Sequence, residues 1–209
     1  VWNKVKNNER IGLSVTMKNR IPMSRGLGSS SSAIVAGLYA ANCLCDNYYT
    51  KEELLDIATE IEGHPDNVAP ALLGGFTISY MEEGKAHSLR LLPVKPLKFI
   101  AVVPDSKLPT FLARQAIPES VPHKDAVYNT SRASLLVGAL LSGHYEYLES
   151  ALEDKLHQPY RAHLIPGLQE VFNAAKEHGA YNAIISGAGS TIMAYADPAA
   201  DCEGIAQAM

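Results

Sequence analysis

The residues whose types and spacing could do chemistry begin with Pro22-Met23-Ser24-Arg25-Gly26-Leu27-Gly28-Ser29-Ser30-Ser31-Ser32, followed by Ala33. Free backbone N–H groups and hydroxyls at this density can hold phosphate. A helix starting there adds unpaired first-turn donors and the positive end of its dipole. Gly26 and Gly28 let the backbone approach an anion with no Cβ in the way, and a hydroxyl such as Ser30 can reach a metal ion. No Gly-Lys-Ser/Thr follows the glycines, so this is not a Walker loop. The plain alternative is a flexible Gly/Ser linker, and the tight flanking by regular patterns weighs against it. A second chemical group is Glu62, in the last turn of an expected helix. An acid there sits at the unfavourable end of the dipole and invites a cation. An exposed terminal glutamate is its plain alternative.

The elements that must position these groups are legible from periodicity. Residues 11–17 alternate apolar with small or polar residues, as a half-buried strand does. Residues 33–44, rich in Ala and Leu, read as a buried helix. Thr50 with Glu53 forms a capping box. The helix it starts carries Leu54, Leu55, Ile57, Ala58 and Ile61 and should stop near Gly63. Strands are expected over 76–81 and 88–92, joined by Glu83-Gly84. Pro93 and Pro96 then mark a boundary, giving domains 1–95 and 96–209. In the second domain a strand over 99–103 precedes a short helix over 110–116. Longer helices follow over 125–142, 145–156 and 166–178, with Gly179 as a cap. Strands at 183–185 and 191–194 flank Ser186-Gly187-Ala188-Gly189-Ser190. The order predicts an α+β protein with two layers per domain.

Bulk properties exclude several classes. The 209 residues are 47% hydrophobic and 19% charged, with a formal net charge of −4, so there is no basic footprint for nucleic acid. No apolar run approaches the roughly 20 residues that span a bilayer, and no nucleic-acid or membrane partner is expected. Cys43, Cys45 and Cys202 are too few and too unevenly placed for a disulfide framework. They read as buried reduced thiols, and the expected location is cytoplasmic. Both ends look cut, as though the chain belongs to a longer protein: it opens almost directly on an expected strand without an initiating Met and closes on what reads as a helix stopped midway. The piece alone is therefore expected to be weak or inactive.

Pro-x-x-x-Gly-Leu-Gly-Ser-Ser-x-x-Ala resembles the ATP-binding motif of the GHMP small-molecule kinases. Two more stretches resemble the homoserine-kinase branch. One is Glu62-Gly63-His64-Pro65-Asp66-Asn67-Val68-Ala69-Pro70-Ala71 with Gly74-Gly75; the other is His157-Gln158-Pro159-Tyr160-Arg161 with Leu164-Ile165-Pro166-Gly167. Residues 186–190 match the third family motif, although a simple hairpin turn would also suit them. The resemblance covers nearly the whole chain, in family order. It implies a ribosomal-S5-like first domain and a ferredoxin-like second one.

The resemblance also implies ATP and Mg²⁺ as cofactors and L-homoserine as the substrate, phosphorylated on its side-chain hydroxyl on the way to threonine. Residues 22–32 would hold the nucleotide. Ser30 and Glu62 would hold Mg²⁺. His64, Asp66, Asn67, Thr110, Arg114, Arg161 and Gly187 would line the acceptor pocket, with the arginines on the carboxylate, Asp66 on the ammonium and Asn67 on the hydroxyl. Each has a plainer reading, as a surface arginine or as a turn residue. The relatives' presumed catalytic aspartate falls here on Asn67, an amide that cannot usefully accept a proton. Transfer without a protein base is therefore expected, with Arg114 assisting and Asp66 as base still open. The rival readings are a mevalonate- or sugar-type GHMP kinase and a catalytically silent binding protein. A homodimer is compatible with all three.

Overall fold

The computed structural model describes residues 1–7 and 11–209, and these form two compact units. The first comprises Val1–Ile21 and Gly28–Leu91; the second comprises Pro22–Leu27 and Leu92–Met209. Against the division expected at 95/96, the second unit begins at Leu92 and also takes in the hexapeptide Pro22–Leu27.

The first unit contains helices α1 (Trp2–Val5), α2 (Ser29–Leu44), α3 (Lys51–Glu62) and α4 (Val68–Leu73), then strands β1 (Phe76–Glu82) and β2 (Lys85–Leu91). The capping box closes as expected: Thr50 Oγ1 accepts from the Glu53 N–H, and Glu53 Oε2 accepts from the Thr50 N–H. Gly63 ends α3 with φ +90°, a left-handed conformation that glycine adopts without Cβ strain. Leu55 and Ala58 of α3 pack with Val35, Val68, Ala69 and Ala86 into this unit's core. Ile61, grouped by sequence with the apolar positions, is 58% exposed. β1 and β2 form an antiparallel hairpin pairing Phe76 with Leu91 through Glu82 with Lys85.

Three expectations need correction. The strand expected over 11–17 does not form: residues 11–20 are unpaired and exposed, Val15 at 82%. Alternation makes a strand only where a neighbour accepts its backbone hydrogen bonds, and no described strand does. Helix α2 starts at Ser29 rather than Ala33, because Gly28 at φ +69° serves as N-cap and the serine run becomes the first turn. Of the cysteines, Cys45 is buried but Cys43 is exposed and Cys202 half-buried; all three are free thiols.

The second unit contains β3 (Lys98–Val102), α5 (Thr110–Gln115), α6 (His123–Ser142), α7 (Leu148–Ala151), α8 (Gln158–Arg161), α9 (Leu168–Glu177), β4 (Ala180–Ile185), β5 (Ile192–Ala196) and α10 (Cys202–Ala208). Its antiparallel sheet has the order β3-β5-β4. Leu168, Val171, Phe172 and Ala175 of α9 follow the i, i+3, i+4, i+7 spacing of an amphipathic helix and pack on that sheet with Ile185, Ile192 and Ile205. The single helix expected over 145–156 is instead a 3₁₀ turn, Tyr145–Tyr147, followed by the four-residue α7. Asp154 explains the break. Its carboxylate accepts from the N–H groups of Leu156, His157 and Gln158 and from Asn129 Nδ2, so the chain turns toward α8 rather than continuing α7. No helix among the described residues is long and apolar enough to cross a membrane.

Candidate active site

In the first unit the start of α2 presents the features an anion needs. Helical N–H groups of the first turn lack intrahelical partners, no side chain caps this helix, and no acid sits in its first turn. The serines there divide by helix face. Ser29 Oγ donates to Ile21 O (3.2 Å) and accepts from Asn19 Nδ2 (2.8 Å), so its hydroxyl ties down the preceding chain. Ser30 is exposed. Ser31 is buried, and its Oγ donates to Glu62 Oε1 at 3.0 Å. Glu62 thus bonds directly to the residue that follows Ser30, the hydroxyl expected to share a metal ion with it. Successive helix positions are about 100° apart, and the α2 face that carries Val35 is the one packed with α3.

His64 Nδ1 stands 3.6 Å from Asp66 Oδ2, whose side chain is 74% exposed. Asn67 is the N-cap residue of α4, but its amide makes no capping bond and is exposed. Both side chains remain available to a ligand.

In the second unit, Pro22–Leu27 is fastened to the β4–β5 turn. Thr191 N–H donates to Arg25 O (3.1 Å), Ser186 Oγ donates to Gly26 O (2.8 Å), and Leu108 N–H donates to Ser24 O (3.3 Å). Gly26 has φ +73°, and a Cβ there would lie 1.9 Å from Ser186 O. Gly187 lies against the same backbone, so its expected place in the site is packing as much as ligand contact. Arg25, expected on phosphate, is engaged elsewhere. Its Nε, Nη1 and Nη2 donate to the carbonyls of Pro104, Met23 and Asp105. It acts as a staple for the loop, because a guanidinium fork fits several carbonyls at once.

Arg161, the last residue of α8, donates from Nε to Ala113 O and from Nη1 to Gly187 O, both at 3.0 Å. Burial pushes its pKa below the ordinary arginine value; Asp154 opposes the shift and Arg114 adds to it. Two like charges brought within mutual repulsion favour an anion between them. Thr110 opens α5, the helix that carries Arg114, and is exposed.

Sequence reasoning quotes Ser186 and Gln158 within their motifs without a role of their own, and it does not single out Asp154. Gln158 Oε1 accepts from the Ile185 N–H at 2.8 Å, which fixes α8 on β4. The signal for Asp154 was a carboxylate two to four residues ahead of free N–H groups. Burial raises the Asp154 pKa, but bonds from Gln158, Leu156, Asn129 and His157 outweigh it, and the net shift is downward. A carboxylate with a depressed folded pKa contributes stability that is fully present above its unfolded pKa of about 4 and is lost as pH falls through the folded value. Asp154→Asn should therefore lower the melting temperature at neutral pH and flatten its decline below about pH 4. Thermal melts across pH check both; parallel acid limbs would contradict the assignment.

Residues 1–75 match the GHMP kinases N terminal domain, and residues 136–209 match the GHMP kinases C terminal domain. A homoserine kinase of Carboxydothermus hydrogenoformans is 48% identical over 193 residues, covering 90% of this chain and 63% of that protein. One of Desulfitobacterium hafniense is 45% identical over 200 residues, covering 93% and 67%. The crystal structure of a homoserine kinase from Cytophaga hutchinsonii superposes with a TM-score of 0.85 at 32% identity, covering 91% of this chain and 62% of that one. The chain belongs to the GHMP kinases, in the branch of its homoserine-kinase relatives. It spans 63% of the length of the first of those relatives.

Proposed function

We propose that the protein carrying this chain transfers the γ-phosphoryl group of ATP to the side-chain hydroxyl of L-homoserine. The observation that carries the acceptor is the Arg114–Arg161 pair. A cationic pair suits an α-carboxylate, which bidentate guanidinium groups recognise well. In the first unit, the exposed Asp66 offers a carboxylate suited to an ammonium and Asn67 an amide suited to a hydroxyl. Thr110 adds a hydroxyl beside the arginines.

The nucleotide phosphates are assigned to the first turn of α2, with Pro22–Leu27 leading into it. Mg²⁺ fits the donor chemistry: Glu62 and Ser30 offer hard oxygens, and no basic residue lies in the last turn of α3. No group of three metal-ligating side chains occurs among the described residues. The ion would thus be held by Glu62, a serine hydroxyl, phosphate oxygens and water. When bound, it neutralises charge on the transferring group.

Asp66 is largely exposed. The hydroxyl proton is assigned to a phosphate oxygen late in transfer. Asp66→Asn should weaken homoserine binding more than turnover at saturation. Abolished turnover with normal homoserine binding would instead make Asp66 the base.

ADP release over a panel of acceptors tests the whole reading. Homoserine should be the fastest, ahead of mevalonate and sugars, which lack an α-amino acid head. Faster release with mevalonate would contradict it.

A further inference from the structure

Glu62 is the last residue of α3, and an unconstrained glutamate there would sample several side-chain rotamers. One hydroxyl removes that freedom. Ser31 is 1% exposed, and its Oγ donates to Glu62 Oε1 at 3.0 Å. Ser31 lies one turn ahead of Val35, on the helix face held by the core of the first unit, so the hydroxyl is itself fixed by packing.

We propose that Ser31 is a positioning residue for the divalent cation, acting through Glu62 rather than touching the ion. Its bond occupies one carboxylate oxygen and leaves the other for the metal. Outer partners of this kind orient a ligand in advance, so less side-chain entropy is lost when the ion binds. Ser30, exposed one position earlier, is left as the hydroxyl that can bind the ion directly. The inference rests on Glu62 being a metal ligand.

The test is Mn²⁺ binding in the presence of ADP, followed by water-proton relaxation, on the protein with its complete reading frame. Ser31→Ala should weaken Mn²⁺ binding about 10-fold while leaving the KM for homoserine unchanged. Ser31→Thr, which keeps the hydroxyl, should recover much of the loss. Glu62→Gln should lose at least as much as Ser31→Ala. Wild-type Mn²⁺ affinity in Ser31→Ala, with loss in Glu62→Gln, would overturn the role of Ser31 and leave the metal site standing. Wild-type affinity in Glu62→Gln would remove the metal site itself.

Discussion

Replacing Gly26 with alanine should abolish nucleotide-dependent activity, lowering kcat/KM by at least about 100-fold. The new Cβ would lie 1.9 Å from Ser186 O and 2.9 Å from Gly189 N. Both atoms are backbone, so neither can rotate away, and Pro22–Leu27 must lift off the β4–β5 turn. The positive φ adds about 1–2 kcal/mol of strain for any residue with a Cβ. Gly28→Ala is the control. It has a similar φ of +69°, but a Cβ there meets nothing within 4 Å in the protein, so its melting temperature should show the conformational penalty alone. Thermal melts of the two variants without nucleotide separate close approach from backbone freedom. Equal losses of melting temperature in both would mean that the contact with Ser186 is unimportant.

Arg161 is the second position where a large effect is expected. Its Nε and Nη1 hold the carbonyls of Ala113 and Gly187, leaving Nη2 and the second Nη1 hydrogen for a ligand. Arg161→Lys keeps the charge but cannot hold two carbonyls while presenting a fork to carboxylate. The loss of a hydrogen-bonded charge pair is worth about 2–5 kcal/mol, so the KM for homoserine should rise about 30-fold or more. The KM for ATP should change little. Steady-state kinetics with each substrate varied in turn would show this, and an equal rise in both KM values would point to general damage.

The sequence revealed most where local chemistry decides structure. Thr50, Glu53 and Gly63 placed α3 because a capping box and a left-handed glycine are local devices. The hairpin strands were legible for the same reason. Residues 11–17 were misread because alternation is necessary for a half-buried strand but a pairing partner is also required. Helix α4 was overlooked because Pro70 lies inside it. Serine is a poor guide inside helices, so α2 was started four residues late.

The candidate residues stand together in the family motifs, but the sequence does not separate their individual surroundings. Ser29, Ser30 and Ser31 are identical in type, and only the helical face distinguishes a chain tie, an exposed hydroxyl and a partner of Glu62. Arg25 looked like a phosphate ligand because it stands beside the glycines. Its guanidinium is instead held by carbonyls some 80 residues away in sequence, which no spacing rule could show. Ser186 was hidden by its glycine neighbours, although its hydroxyl is what fastens Gly26.

The most direct measurement of the central claim compares homoserine with 3-aminopropan-1-ol, the same molecule without its carboxylate. ADP production by the protein with its complete reading frame would be followed for each acceptor. If Arg114 and Arg161 read the carboxylate, kcat/KM for homoserine should exceed that for the amino alcohol by about 10⁴-fold, because the site's polar groups would be left unpaired. Comparable values for the two acceptors would contradict the assignment of these arginines and, with it, of the substrate.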